Sequence, residues 1–292
     1  YLTEQQVIIN VWHGLGLKKI LGYTDAFSNR SKPFATYAIS YSEYFSSVVQ
    51  KAFLVDRNHI ISCGSPRNDL FYLGKRSDLD IIKQGVSRHA KVVIWMPTYR
   101  QSATAASSND GKIYKYGIPL IDENNIRSLD DKLKENDVFL IIKYHVLQND
   151  NDELIGNFTN IKVITSNDAA EYGIPFYQII GQCDALISDY SSIYIEFMSL
   201  NRPICYAYDD LDEYESKRGF MFESPKNIMP GYHATTIEDL FKFVVDVATD
   251  NDQFADDRER TIRRLELYTD GNNAKRLVDQ IQLLKTDEEN GK

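Results

Sequence analysis

Asp184-Ala185-Leu186-Ile187-Ser188-Asp189-Tyr190-Ser191-Ser192 is the stretch on which the fold turns. Its apolar run has the length of a strand and lacks polar alternation, as expected where both faces of a parallel sheet are buried. Two serines then open a helical pattern over residues 191–200. Working outward, similar runs occur at 7–11, 59–62, 92–95, 138–142, 161–164 and 204–208. Helical patterns at 43–53, 129–134, 237–249 and 257–268 fall between or after them. Strands alternating with helices predict a doubly wound α/β architecture.

In such sheets ligands bind at the carboxyl ends of the strands, so the residues just past each strand matter most. The first strand leads into Trp12-His13-Gly14-Leu15-Gly16-Leu17-Lys18-Lys19 and the second into Gly64-Ser65-Pro66-Arg67-Asn68-Asp69. Later strands lead into Pro97-Thr98-Tyr99-Arg100, Lys143-Tyr144-His145 and Asp189-Tyr190-Ser191-Ser192. A helix beginning at Ser191-Ser192 offers unpaired backbone N–H groups and a partial positive charge, a natural phosphate seat. A plain serine N-cap is the structural alternative. Arg67 and Lys143 can add charge-assisted hydrogen bonds to a pyrophosphate. His13 and His145 sit beside these groups, and histidine is the side chain most readily poised for acid–base work near neutral pH. His59, His89 and His233 lack such company and are read as structural or exposed.

Composition narrows the classes. The chain has 292 residues, 43% hydrophobic and 26% charged, enough for a large core and too apolar for general disorder. A net charge of −9 argues against nucleic-acid binding and requires any phosphate recognition to be local. Cys63, Cys183 and Cys205 lack the paired spacing of a disulfide framework or zinc site and read as buried small hydrophobes. Asp78-Leu79-Asp80 and Asp210-Leu211-Asp212 match an Asp-x-Asp pattern, but no third ligand stands nearby, so both are read as solvated faces and no metal site is assigned. There is neither a Walker-type loop nor a Gly-x-Ser-x-Gly elbow. Residues 101–117 read as a mobile loop, 77–84 as a polar helix and the chain beyond Thr286 as a frayed tail. The chain starts at Tyr1 rather than Met and has few strands before residue 74, which predicts a fragment whose first domain is incomplete.

In this order the motifs at 12–14, 64–69, 97–100, 143–145 and 184–192 resemble the CDP-glycerol glycerophosphotransferase family of teichoic-acid and capsule-polymer synthesis. The resemblance continues through Arg202-Pro203-Ile204 and Tyr208-Asp209-Asp210-Leu211 to Arg218-Gly219-Phe220. It implies a GT-B fold, two Rossmann-like domains facing a cleft. Residues 1–75 would be the C-terminal part of the first, acceptor-side domain. Residues 76–265 would form the donor-binding domain, and 266–292 a C-terminal helix and tail packing back toward the first. The family's donor contacts would fall on His13, Gly14, Leu15, Gly16, Leu17, Arg67, Pro97, Thr98, Lys143, His145, Ser191, Ser192 and Glu196.

Four positions in three motifs depart from the family pattern. His13-Gly14-Leu15-Gly16-Leu17-Lys18 replaces His-Gly-Thr-Pro-Leu-Lys, Val146 replaces a proline, and Glu196 stands where Asp is typical. The extra methylene of Glu196 predicts a changed hold on the donor's polyol hydroxyls, with ribitol as the other unit considered.

The expected reaction transfers glycerol phosphate, or a related polyol phosphate, from CDP-glycerol or CDP-ribitol to a polyol-phosphate or capsule polymer, itself free or lipid-linked. His13 is the expected base, Arg67, Lys143, His145 and the Ser191-Ser192 helix offset the pyrophosphate charge, and no cofactor is called for. The expected location is the cytoplasm, with peripheral attachment to the inner membrane face. A GT-B glycosyltransferase or nucleotide-sugar epimerase, and a non-catalytic nucleotide- or polymer-binding module, are the alternatives that a donor panel separates.

Overall fold

In a computed structural model the chain is described over residues 6–14, 16–27, 29–83, 85–100, 110–144, 156–165, 168, 171–222 and 224–290, with side chains to residue 284. Six strands, β4 (Lys91–Trp95), β5 (Val138–Lys143), β6 (Ile161–Ile164), β7 (Ala185–Ser188), β8 (Ile204–Ala207) and β9 (Tyr232–Ala234), form one sheet in the order β6-β5-β4-β7-β8-β9. Every neighbouring pair is parallel. This is the doubly wound order, and the chain reverses its direction of travel across the sheet between β4 and β7.

The uninterrupted apolar runs result from burial on both faces. Along β4, Val92 and Ile94 enter one core while Val93 and Trp95 enter the other. Phe139 and Ile141 alternate likewise with Leu140 and Ile142 along β5. Helices α2 (Ile126–Glu135) and α6 (Ile237–Ala248) cover one face through Leu129, Leu133, Phe243 and Val244. Helices α3 (Phe176–Gln182) and α4 (Ile193–Met198) cover the other through Ile179, Ile180, Ile195 and Phe197. Each such aliphatic side chain contributes roughly 1.5–3 kcal/mol when fully buried.

A smaller parallel sheet, β1 (Ile9–Asn10), β2 (Tyr37–Ser40) and β3 (Ile60–Ser62), precedes it. Helix α1 (Ser46–Phe53) buries Val48, Val49, Ala52 and Phe53 in the same core that holds α3 and α4, so the two sheets share a continuous interior. The 3₁₀ turn Pro66–Tyr72 seats Phe71 flat against Tyr177, ring centroids 5.2 Å apart. Helix α8 (Asn273–Asn290) returns to the first sheet, where Leu277 packs with Ile39, Ile61 and Cys63. Its first turn is capped from 204 residues away: Asp69 accepts from the Asn273 amide at 2.9 Å and the Ala274 amide at 2.8 Å. Two further helices, α5 (Leu211–Lys217) and α7 (Ala255–Arg264), come after β8 and α6 respectively.

Several local expectations are revised. β2 and β9 have no counterpart among the expected strands because each is only four or three residues long and neither carries an apolar run. The polar helix at 77–84 is a 3₁₀ turn, Arg76–Ile81. Backbone helix extends through Asn290 in place of the frayed tail expected after Thr286. The described end of the expected mobile loop is anchored, with the Lys112 amide donating to Asp210 at 3.1 Å; residues 101–109 lie outside the described residues. All three cysteines are free and buried. Among the described residues no helix is long and apolar enough to cross a membrane.

Candidate active site

The reversal between β4 and β7 opens a crevice at their carboxyl ends, and Pro97-Thr98 and Asp189-Tyr190-Ser191-Ser192 sit there. Thr98 locks the two strand ends together. Its amide donates to both Asp189 oxygens at 3.0 and 3.1 Å, and its hydroxyl donates to Oδ1 at 2.5 Å. Thr98 therefore spends its side chain on the protein and serves to set the loop. Ser192 begins α4 without capping it, so its hydroxyl is not consumed by its own helix.

The loop after β1 crosses from the small sheet to this helix start. A Cβ on Gly14 would lie 2.3 Å from Ser192 Oγ and 3.1 Å from Arg67 Nη2. One on Gly16 would lie 3.2 Å from the Ser192 backbone. Glycine at both positions lets the loop lie directly on the helix N-terminus. His13, Gly14, Gly16, Arg67 and Ser192, scattered over the sequence, are thereby gathered at one junction. Leu17 is fully buried and ties the loop down, its carbonyl accepting from Met221 N at 2.7 Å.

Arg67 is oriented from behind by Glu196. Arg67 Nη2 donates to Glu196 Oε1 at 2.6 Å and Nε to Oε2 at 3.2 Å. The Tyr41 and Tyr177 hydroxyls donate to the same carboxylate at 2.6 and 2.9 Å. Burial opposes the charge on Arg67, but Glu196 together with the hydroxyls of Tyr177 and Tyr41 more than offsets it and raises the guanidinium pKa. With its side chain wholly buried and both oxygens doubly engaged, Glu196 has no lone pair left for a polyol hydroxyl. In this arrangement Glu196 holds Arg67 and has no free oxygen for the donor contact expected of it.

His13 remains accessible, with its ring 4.3 Å from that of Trp12. Its pKa is lowered, first by partial burial and then by the cations of Arg67 and Lys18, against a smaller opposing pull from Glu196. A neutral imidazole able to accept a proton at pH 7 is the result. Lys143 ends β5, donates to the Tyr144 carbonyl at 2.6 Å and lies 5.6 Å from the Phe176 ring centroid. Burial lowers its pKa, with Asp168 pulling the other way. Leu15 and His145 lie outside the described residues.

A second buried network braces the crevice. Arg100 pairs with Asp189 at 3.0 Å and Asp210 at 3.2 Å, and its guanidinium lies 5.0 Å from the ring centroids of both Tyr190 and Tyr214. Tyr190 also donates to Asp210 at 3.1 Å. Asp210 is 4% exposed, which overturns its reading as a solvated face; a carboxylate with three such donors is stable inside. Burial nonetheless raises its pKa, with Arg100 the main opposing influence. Tyr41 and Tyr177 had no sequence signal. Arg100 and Asp189 did, since both lie in strand-end motifs. Among the described residues no group of three or more His, Cys, Asp or Glu is placed to hold a metal ion.

Comparison with known proteins agrees with this architecture. A family model for CDP-glycerol:poly(glycerophosphate) glycerophosphotransferase matches residues 2–283. The chain is 28% identical over 278 residues to a teichoic acid glycerol-phosphate transferase of Staphylococcus aureus, covering 86% of this chain and 65% of that protein. It is 25% identical over 285 residues to a teichoic acid glycerol-phosphate primase of Bacillus spizizenii, covering 94% and 68%. A variant of the wall teichoic acid polymerase TagF, soaked with CDPG, superimposes with a TM-score of 0.74 at 24% identity, covering 100% of this chain and 71% of that one. The α/β fold is GT-B-like, two parallel sheets meeting at the junction described above. The chain belongs to the CDP-glycerol:poly(glycerophosphate) glycerophosphotransferase family.

Proposed function

We propose that this chain transfers glycerol phosphate, or a related polyol phosphate such as ribitol phosphate, from a CDP-activated donor to the hydroxyl end of a growing teichoic-acid or capsule polymer. The proposed division of labour keeps residues 1–75 on the acceptor side, 76–265 on the donor side and 266–292 as the returning helix and tail. His13 takes the proton from the acceptor hydroxyl. The oxygen attacks the β-phosphorus, a new P–O bond forms, and the bond to CMP breaks with the electron pair leaving on CMP. Arg67 and the amides at Ser191-Ser192 face the pyrophosphate. Lys143 and His145 complete its charge balance. Gly14, Leu15, Gly16 and Leu17 form the loop over it, and Pro97 and Thr98 shape its floor. Such transfer is catalysed by positioning and charge stabilisation.

One observation carries this reading: a neutral, accessible imidazole lies on a loop that rests on the helix start at the sheet's reversal point, beside an arginine held by a buried carboxylate. The polymer acceptor supports a cytoplasmic site of action, peripheral to the inner membrane face.

His13→Ala should abolish acceptor-dependent CMP release, while binding of CDP-glycerol by calorimetry stays near wild type. Near-normal turnover would remove His13 as the base. Running CDP-ribitol and UDP-sugars alongside would separate a polyol-phosphate transferase from a sugar transferase or epimerase.

A further inference from the structure

Two clefts outside the catalytic junction adjoin each other. One, of about 600 Å³, runs between the first sheet's helices and the segment after Phe220, and is lined by Tyr23, Tyr44, Met221 and Phe222. The other, of about 510 Å³, lies beyond β9 against α7, and includes Lys226, Arg260 and His233. Arg264 and Asn227 line both, and Arg264 donates to the Asn227 carbonyl, so the two clefts meet at that pair and together make a divided groove. Its described lining holds three cations, Lys226, Arg260 and Arg264, against one carboxylate, Asp257, which is paired with Arg260. In a chain of net charge −9, such a local excess of positive charge needs an explanation.

The groove starts close to the chemistry. Met221, in its wall, donates its amide to the Leu17 carbonyl at 2.7 Å, and Lys19 N donates to Gly219 O at 3.1 Å. Leu17 is four residues beyond His13, so by chain reach it lies within about 14 Å of it, and the groove wall begins one hydrogen bond further on. From there it leads past tyrosine and phenylalanine faces, suited to the CH groups of a polyol, to the cations at its far end. A concave, aromatic-walled channel fits a flexible polyanion and excludes a flat bilayer.

We propose that this groove binds the phosphate repeats of the acceptor polymer behind its reacting hydroxyl, with Lys226, Arg260 and Arg264 contacting successive phosphodiesters. The proposal rests on the transferase reading for its ligand, and it makes the protein a reader of acceptor length.

The test uses the whole chain and the triple variant Lys226→Gln/Arg260→Gln/Arg264→Gln; the three side chains are exposed and melting curves check the fold. Fluorescence anisotropy with a labelled glycerol-phosphate dimer and a long oligomer measures binding without catalysis. Wild type should bind the long oligomer more tightly, salt should weaken it, and the variant should lose about tenfold, equivalent to about 1.4 kcal/mol. In steady-state transfer the variant's KM should rise for the long oligomer only, with kcat, dimer KM and donor KM unchanged. Equal affinity of wild type and variant for the long oligomer, or equal losses for dimer and oligomer, overturns the groove. So does a variant that loses only its binding to phosphatidylglycerol vesicles. Wild-type binding without transfer would instead sink the transferase reading and leave the groove supported.

Discussion

Replacing Glu196 by Gln removes one charge and almost no volume, so it isolates the role assigned to that carboxylate. Four donors converge on it, two from Arg67 and one each from Tyr41 and Tyr177. A glutamine oxygen can keep two of them, while its NH₂ group must face an Arg67 N–H, donor against donor, and a tyrosine hydroxyl that can turn to accept. Removing one partner of a buried pair costs about 3–5 kcal/mol. Arg67 is 31% exposed, so water recovers part of that and about 3 kcal/mol is expected. For a chain of this size that lowers Tm by roughly 5–10 °C. Released from its holder, Arg67 should no longer face the pyrophosphate, and the donor KM should rise about tenfold. Glu196→Asp keeps the charge but shortens the reach, and should fall between the two in both measurements. Thermal unfolding followed by circular dichroism, with CMP release at varied donor, reads both quantities. A Gln variant with wild-type Tm and donor KM would refute the positioning role. If Glu196→Asp instead exchanged preference between CDP-glycerol and CDP-ribitol at unchanged Tm, the carboxylate would be touching the polyol after all.

The acid limb of kcat/KM should lie below 6.5, the ordinary imidazole value, because burial and neighbouring cations lower the His13 pKa; a limb above 6.5 would point to another base. Arg100→Leu leaves Asp189 and Asp210 buried together and should destabilise the protein by about 3–5 kcal/mol. Burial already raises the Asp210 pKa against the pull of Arg100, so without Arg100 that pKa would stand further above its unfolded value, and the loss should be smaller near pH 5 and grow as pH rises, which urea titrations at several pH values can check. Asp69→Ala removes the cap of α8 and should cost about 1–2 kcal/mol, with hydrogen exchange accelerated at the start of that helix rather than in the large sheet. Gly181→Ala places a Cβ 2.2 Å from the Phe71 carbonyl oxygen and should cost about 1–3 kcal/mol by forcing α3 away from the 66–72 turn; an unchanged urea midpoint would show that this contact yields freely.

Hydrophobic patterning alone was sufficient for five of the six strands of the large sheet. Runs such as 138–142 are apolar at every position because both faces are covered, and that pattern survives in one dimension. The strand-end motifs were legible for a related reason: in a parallel sheet every carboxyl end points to the same edge, so polar residues after successive strands must share a neighbourhood. The small sheet was harder, since Tyr37–Ser40 is held by its neighbours rather than by its own composition, as is Tyr232–Ala234 at the edge of the large one. Pairings across the fold left no linear trace at all. Glu196 meets Tyr41 from 155 residues away, and Asp69 caps a helix 204 residues on. A carboxylate on a sequence is an acceptor without a partner, and whether it meets a ligand, a solvent or an arginine depends on which backbones the hydrophobic core brings together. Residue types and their order therefore determined the chemistry available, whereas tertiary packing decided that Glu196 and Asp210 spend their charge inside the protein and that Gly14 and Gly16 lie against Ser192 beside Arg67.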